Sequence, residues 1–238
     1  MSLYVYAITK ASHPLRLDGL KGVGEGTSEI RVVRGDSLCA VVSETPEDLS
    51  VKRRDVEAHH EVQGRLWADG TTLPLSFGFV AQDEDAVRAV LEEMAEEFSQ
   101  RIDDLTGRVE FNLKGVQDED TLLRAILEEN DRARELNEAT REGEGTYEDR
   151  LALGELVAQE VQNRQEALAE EVLGELRPLA LSEQVAPPSQ QYFVSASFLV
   201  DEDRTKEFAQ AGQELAERYD EQGVEIRLLG PLPPYSFV

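Results

Sequence analysis

Tyr192-Phe193-Val194-Ser195-Ala196-Ser197-Phe198-Leu199-Val200 is rich in aromatic and branched residues and reads as a strand. Phe208, Gly212, Leu215 and Tyr219 then recur on one face and predict a helix over about 203–221. Val224-Glu225-Ile226-Arg227-Leu228-Leu229 predicts a last strand. A strand, a helix and a strand in so short a span point to a mixed α and β architecture.

The pattern continues upstream. Pro187-Pro188 separates this unit from two helices. One over about 118–141 carries Leu122, Ile126, Ala133 and Leu136, and one over about 147–177 carries Leu153, Val157, Val161, Leu168, Val172 and Leu176. Gly143-Glu144-Gly145 breaks the chain between them, so the pair predicts a helical hairpin. The apolar stripes are too short and irregular for sustained heptads, and read as mutual packing or burial on a sheet. Val109-Glu110-Phe111-Asn112-Leu113-Lys114 alternates as a strand does.

The first half has the same ingredients. Leu3 to Ile8 reads as a strand and residues 10–28, with Pro14, Gly19, Gly22, Gly24 and Gly26, as a long loop. Ile30–Val33 and Leu38–Val42 flank a turn at Gly35-Asp36. A helix over about 52–68 precedes the strand Leu73-Pro74-Leu75-Ser76-Phe77-Gly78-Phe79-Val80, where Pro74 and Gly78 suggest a start and a bulge or close approach. Val87, Val90, Leu91, Met94, Phe98, Ile102 and Leu105 predict one further helix, with Glu92, Glu93, Glu96, Glu97 and Asp103 on its solvated face. The order is β-ββ-α-β-α and then β-α-α-β-α-β. The expectation is an α+β protein of two small domains, 1–106 and 107–238, each a sheet with helices on one face in the ferredoxin-like manner. The second carries the added helical hairpin (about 118–178) and a Pro-rich aromatic tail (231–238).

Bulk composition narrows the function. The 238 residues are 40% hydrophobic, enough for a core, and carry a net charge of −25. That excess of carboxylates works against nucleic acid and anionic membranes, while favouring solubility around sticky partners. The only lysines are Lys10, Lys21, Lys52, Lys114 and Lys206, a composition that fits a salty cytoplasm or GC-rich coding equally. The single cysteine, Cys39, permits no internal disulfide and lies in an apolar run, as a buried strand residue would. Met1 to Tyr6 lacks the pattern of a signal peptide, and no apolar run approaches membrane length, so the expected location is the cytoplasm.

Sites for chemistry are sparse. His59 and His60 are adjacent on a helix and point about 100° apart, poor geometry for one metal ion. His13 stands alone. Gly22-Val23-Gly24-Glu25-Gly26 precedes a strand, lacks a following Lys-Ser or Lys-Thr, and carries a carboxylate that repels anions. It reads as a flexible connector. Carboxylate runs such as Glu128-Glu129 and Glu170-Glu171 lie on wet helix faces, unsuited to separated pKa values. No catalytic, cofactor-binding or metal-binding residue is assigned.

Four stretches resemble the gas vesicle GvpL/GvpF family: Leu3–Ile8; the helix around His59, Val62 and Leu66 with Leu73–Val80, similar to an LPLRFG-type strand; Val109–Gly115; and Gly230-Pro231-Leu232-Pro233-Pro234-Tyr235-Ser236-Phe237-Val238, similar to a G-P-W-P-P-Y-S-F ending. Ser76 stands where Arg is usual, Ala7 where Gly is, and Leu232 where Trp is common. The resemblance implies a first domain with a modified ferredoxin-like fold. It also implies an accessory protein of gas vesicle formation, in the cytoplasm or as a minor vesicle component of a prokaryote. Its implied partners are the hydrophobic shell protein or other gas vesicle proteins during nucleation and growth, without cofactor, nucleic acid, membrane insertion or small-molecule substrate. A small-ligand regulatory module, by analogy with other ferredoxin-like domains, and a cofactor-free enzyme around His59, His60 or Cys39 are the alternatives. The candidate interaction or tail-docking residues are Leu232, Tyr235 and Phe237. Each contributes about 1.5–3 kcal/mol when buried, against about 1–2 kcal/mol per ordered residue, a cost the three prolines reduce. The tail can dock on its own body or on a partner; an exposed aromatic tail invites aggregation, which favours the former.

Overall fold

Strand β1 (Leu3–Lys10) is buried along nearly its whole length. Its neighbours explain this. It pairs antiparallel with β3 (Leu38–Glu44) on one side and with two short strands, β4 (Leu73–Pro74) and β5 (Val80–Ala81), on the other. Strand β2 (Arg31–Arg34) extends the sheet beyond β3, for the order β2-β3-β1-β4. Helix α1 (Arg53–Asp69) covers the Tyr4–Tyr6 side with Val62 and Leu66. Helices α2 (Glu84–Glu93) and α3 (Ala95–Leu105) lie on the side to which Val5 and Ile8 contribute. The pairing with β3 slips between Val5 and Ala7, a bulge that turns Ile8 to the same side as Val5. Helices therefore cover both faces of this sheet, where one face was expected. The structure, a computed structural model, describes residues 1–24, 28–141, 144–189 and 191–238. Glu25 and Gly26 of the glycine loop and Gly143 of the expected break lie outside the described residues.

The chain divides into two units. One is Met1–Glu110 with Asp201–Asp203 and Pro231–Val238; the other is Phe111–Val200 with Arg204–Gly230. The tail, placed by the sequence reading with the C-terminal domain, groups instead with the first unit, because its polar partners are Glu110 and His60.

The second sheet has the order β7-β8-β6-β9, from β6 (Arg108–Gln117), β7 (Ser182–Val185), β8 (Val194–Asp201) and β9 (Val224–Leu232). Helix α7 (Thr205–Asp220) buries Phe208, Gly212, Leu215 and Tyr219, the stripe its sequence predicts. The Phe208 ring stands 4.9 Å from that of Phe111 and 5.4 Å from that of Phe198. Between β6 and β7 run α4 (Glu119–Glu129), α5 (Asp131–Thr140) and α6 (Tyr147–Leu176). The single helix expected over 118–141 is thus two. Asn130 adopts an extended backbone and its side chain caps α5 at Ala133 N–H (3.0 Å). Thr146 and Asp149 form a reciprocal capping box that starts α6. Leu122, Ile126 and Ala133 pack with Leu127, Leu156 and Val161, which makes the α4–α6 pile a small core of its own.

Gly115 shows how tightly the second sheet is closed. A Cβ there would lie 2.6 Å from both Phe193 Cε1 and Val194 Cγ1. At Gly154, exposed within α6, a Cβ meets nothing within 4 Å. Gly115→Ala should therefore destabilise by about 1–3 kcal/mol, whereas Gly154→Ala should stabilise by up to about 1 kcal/mol. Thermal unfolding followed by circular dichroism should show the two melting temperatures moving in opposite directions.

Candidate functional site

The Tyr4 hydroxyl receives the Gly78 N–H (3.1 Å) and is hydrogen-bonded to His59 Nδ1 (2.8 Å). His59 is 1% exposed, its ring stacks on Tyr6 and meets Phe77 edge-on, and its Nε2 has no partner among the described residues. Burial, aided by His60, pushes the imidazole down to about 4, and the Leu75 carbonyl only partly opposes this. Burial likewise pushes the Tyr4 phenol up to about 12. The Tyr6 hydroxyl receives the Val23 N–H (2.9 Å) and bonds Ser43 Oγ (3.0 Å), while Gln63 donates to the Tyr6 carbonyl. These neutral groups tie β1 to α1, to β3, to the glycine loop and to the segment at Gly78. They offer no nucleophile and no poised base.

The other reactive side chains are similarly engaged. His13 Nε2 donates to the Leu66 carbonyl (3.0 Å) and its Nδ1 accepts the Leu15 N–H (3.2 Å), which pins the long loop to α1. Cys39 is buried beside Arg34, with the guanidinium 3.6 Å from sulfur, and burial pushes its thiol up. Gly22 and Gly24, expected in a flexible connector, are held. Gly22 N–H donates to Ser28 O (3.1 Å), and Gly24 N–H donates to buried Asp55 (3.0 Å). Among the described residues no cluster of His, Cys, Asp or Glu is arranged to hold a metal ion.

Two further features belong to the first unit. The first is the tail. Pro233, Pro234 and Phe237 are buried, whereas Leu232 and Tyr235 are half-buried. Glu110, 1% exposed, accepts the Ser236 N–H and the Ser236 hydroxyl, each at 2.7 Å. The Tyr235 ring meets His60 edge-on at 6.2 Å, with its hydroxyl 3.5 Å from Nδ1. Burial raises its phenol pKa well above the usual range, with Tyr4 and Glu110 adding to the shift. Sequence reasoning named Leu232, Tyr235 and Phe237 but missed Glu110 and Ser236. Glu110 occupies a polar position of an alternating strand, which reads as solvent-facing.

The second feature is a cavity of about 390 Å³ beneath α2 and α3, lined by Val5, Ile8, Leu75, Phe79, Leu91 and Phe98 among others. Among the described residues Gln82 is the one polar residue in its wall. The segment 75–79, expected as strand with a bulge or close approach at Gly78, leaves the sheet here. Leu75 N–H still donates to Tyr6 O and Val5 N–H to Phe79 O, but Phe79 N–H turns back to Ser76 O (3.3 Å) around Gly78 at φ +92°. This hump separates β4 from β5 and puts Phe79 at the mouth of the cavity, 52% exposed.

Over residues 2–238 the sequence matches the family described as gas vesicle synthesis protein GvpL/GvpF. The chain belongs to the GvpL/GvpF family. It is 40% identical to gas vesicle protein F of Streptomyces sp. (strain CB03234), over the whole of both chains. It is 28% identical to gas vesicle protein L of the same strain, over 98% of this chain and 91% of that one. The crystal structure of GvpF from Anabaena sp. PCC7120 superposes with a TM-score of 0.81 at 22% identity, covering 99% of this chain and 97% of that one. GvpF from Microcystis aeruginosa gives 0.77 at 20%, covering 99% and 98%. These structural likenesses show a shared fold of two antiparallel sheets and helices. The family is one of gas vesicle proteins and is not a known enzyme family. Among the described residues no helix is long and apolar enough to cross a membrane.

Two consequences of the site are measurable in this GvpL/GvpF-family protein. Unfolded, His59 takes its proton near the ordinary 6.5; folded, near 4. Between those values only the unfolded state binds the proton. The stabilisation is therefore complete above about pH 6.5 and is lost as the pH falls toward 4, by on the order of 2–3 kcal/mol. Urea melts at pH 7 and pH 4.5 should show a smaller difference for His59→Gln than for the wild type; equal differences would refute the assignment. For the tail, Glu110→Gln keeps one acceptor and sets an amide against the other donor, at a cost of about 1–3 kcal/mol. Carboxypeptidase should trim Phe237 and Val238 faster in Glu110→Gln than in the wild type, with Ser236→Ala between them.

Proposed function

We propose that this protein acts in the nucleation or growth of the gas vesicle shell by binding the small hydrophobic shell protein, or another gas vesicle protein, without catalysing a reaction. The whole-length match to gas vesicle protein F of Streptomyces carries this reading. The internal engagement of His13, His59 and Cys39 supports a binding role, since each is held in contacts that maintain the fold. The net charge of −25 supports a protein that keeps apolar subunits in solution until they are incorporated. The setting is the cytoplasm of a prokaryote, with retention in the finished vesicle as a minor component.

Both sheets have an order that supports a ferredoxin-like reading. The order β7-β8-β6-β9, with helices between β6 and β7 and between β8 and β9, follows the split β-α-β plan. The first sheet has the equivalent order but a loop where a helix would follow β1, the modified form. The tail, with Leu232, Tyr235 and Phe237, serves on this reading as a clasp on its own unit rather than as the partner contact. The small-ligand alternative is weaker, because the apolar cavity lacks the convergent polar groups that orient a metabolite.

Deleting the gene in a vesicle-forming host should abolish or sharply reduce vesicles in electron micrographs, and the tagged protein should capture the shell protein from co-expressing cells. Normal vesicles in the deletion strain, together with no capture, would sink the proposal.

A further inference from the structure

We infer that the apolar cavity between the 75–81 hump and α2–α3 is a docking site for an amphipathic polypeptide segment whose large apolar side chains are bordered by Lys or Arg. The inference rests on the reading that the protein binds apolar polypeptides, and adds where and with what chemistry.

Three large apolar side chains, Phe79, Val80 and Val90, line this one cavity while being 52%, 42% and 46% exposed. Single exposed apolar residues are ordinary, but a group gathered at one opening marks an interaction surface. The interior cannot be satisfied by water, because among the described residues Gln82 is its only polar wall residue and a bound water needs two to four partners. Left empty, its walls forgo dispersion contacts that an inserted side chain restores. A small metabolite fits poorly for the same lack of polar anchors. A polypeptide side chain needs none there, since its backbone and charged neighbours stay at the rim.

The rim sets the charge of the partner. Glu93 follows Val90 by one turn on α2 with Glu92 beside it, and Glu96 and Glu97 lie in the first turn of α3, all exposed. None of the four is ion-paired among the described residues. The nearest cation on α2, Arg88, is held by Glu84, which also holds Arg31 (2.5 Å). Basic residues flanking an apolar anchor would meet unpaired carboxylates here, which speeds encounter and fixes orientation. A second copy of this chain would bring like charges together, and so would an anionic membrane.

The test uses the full chain and synthetic peptides tiling the shell protein, with binding read by fluorescence anisotropy. Val90→Glu changes an exposed side chain and should leave the melting temperature unchanged while weakening the best peptide by about tenfold or more. Glu93→Lys with Glu97→Lys should weaken it several-fold and flatten its salt dependence. If both variants bind as the wild type does, the cavity is the wrong surface while the shell-protein reading stands. If no peptide binds and intact shell protein is not captured either, both fall. Concentration-dependent dimerisation lost in Val90→Glu, or a lipid retained in native mass spectra, would also overturn the proposal, in favour of a second copy or an acyl chain.

Discussion

Two phenol hydroxyls inside an apolar core govern the first unit. A buried hydroxyl without a partner costs a few kcal/mol, so Tyr4 and Tyr6 must each be met. Tyr4 is met by His59 from α1 and by Gly78 from the hump, Tyr6 by Val23 from the glycine loop and Ser43 from β3. Four separate stretches of chain are thereby located by one strand. At the hump the Gly78 N–H meets the Tyr4 hydroxyl, so leaving the sheet there also satisfies a buried phenol. The hump's departure from the sheet opens the apolar cavity at its side. The cavity and the buried hydrogen bonds of Tyr4 thus meet at one segment of chain.

The larger elements were legible because their signals are local. The stripe on α7, the hairpin of β2 and β3 around Gly35, and the helix about His59 all stand where periodicity and turn chemistry put them. Three departures have non-local causes. The run Leu73–Val80 is strand-like in composition, yet it leaves the sheet around Gly78, whose N–H meets the Tyr4 hydroxyl. Asn130 lies inside a helical stripe, and its capping of α5, together with a hydrogen bond to Glu160 (2.9 Å), outweighs the continuity of the pattern. Strand β7, Ser182–Val185, was not anticipated because Ser-Glu-Gln-Val is mostly exposed and has no apolar face to reveal it; it forms by pairing with β8.

The tail shows the same limit. Its aromatic residues and prolines announced a docking segment, but its seat was hidden, because the deciding residue is a carboxylate in an alternating strand. A charge at such a position ordinarily faces water. Glu110 is buried because Ser236, distant in sequence, supplies two donors to its oxygens. Pairing of this kind has no periodicity.

Charge explains how such a molecule can offer apolar openings without aggregating. Even if every Lys and Arg closed an ion pair, an excess of carboxylates equal to the net charge of −25 would remain. Copies of the protein repel one another from beyond contact, though at physiological salt this reaches only about 8 Å. The apolar attraction acts over shorter distances still, so net charge opposes the approach of a like-charged neighbour before apolar contact can form. A partner with basic residues meets no such barrier and is drawn in by the same field. Repulsion and affinity therefore have separate origins in this fold: surface carboxylates decide what approaches, and buried apolar area decides what stays. Removing the charge would not strengthen binding so much as make it indiscriminate, because the cavity alone does not distinguish one apolar side chain from another.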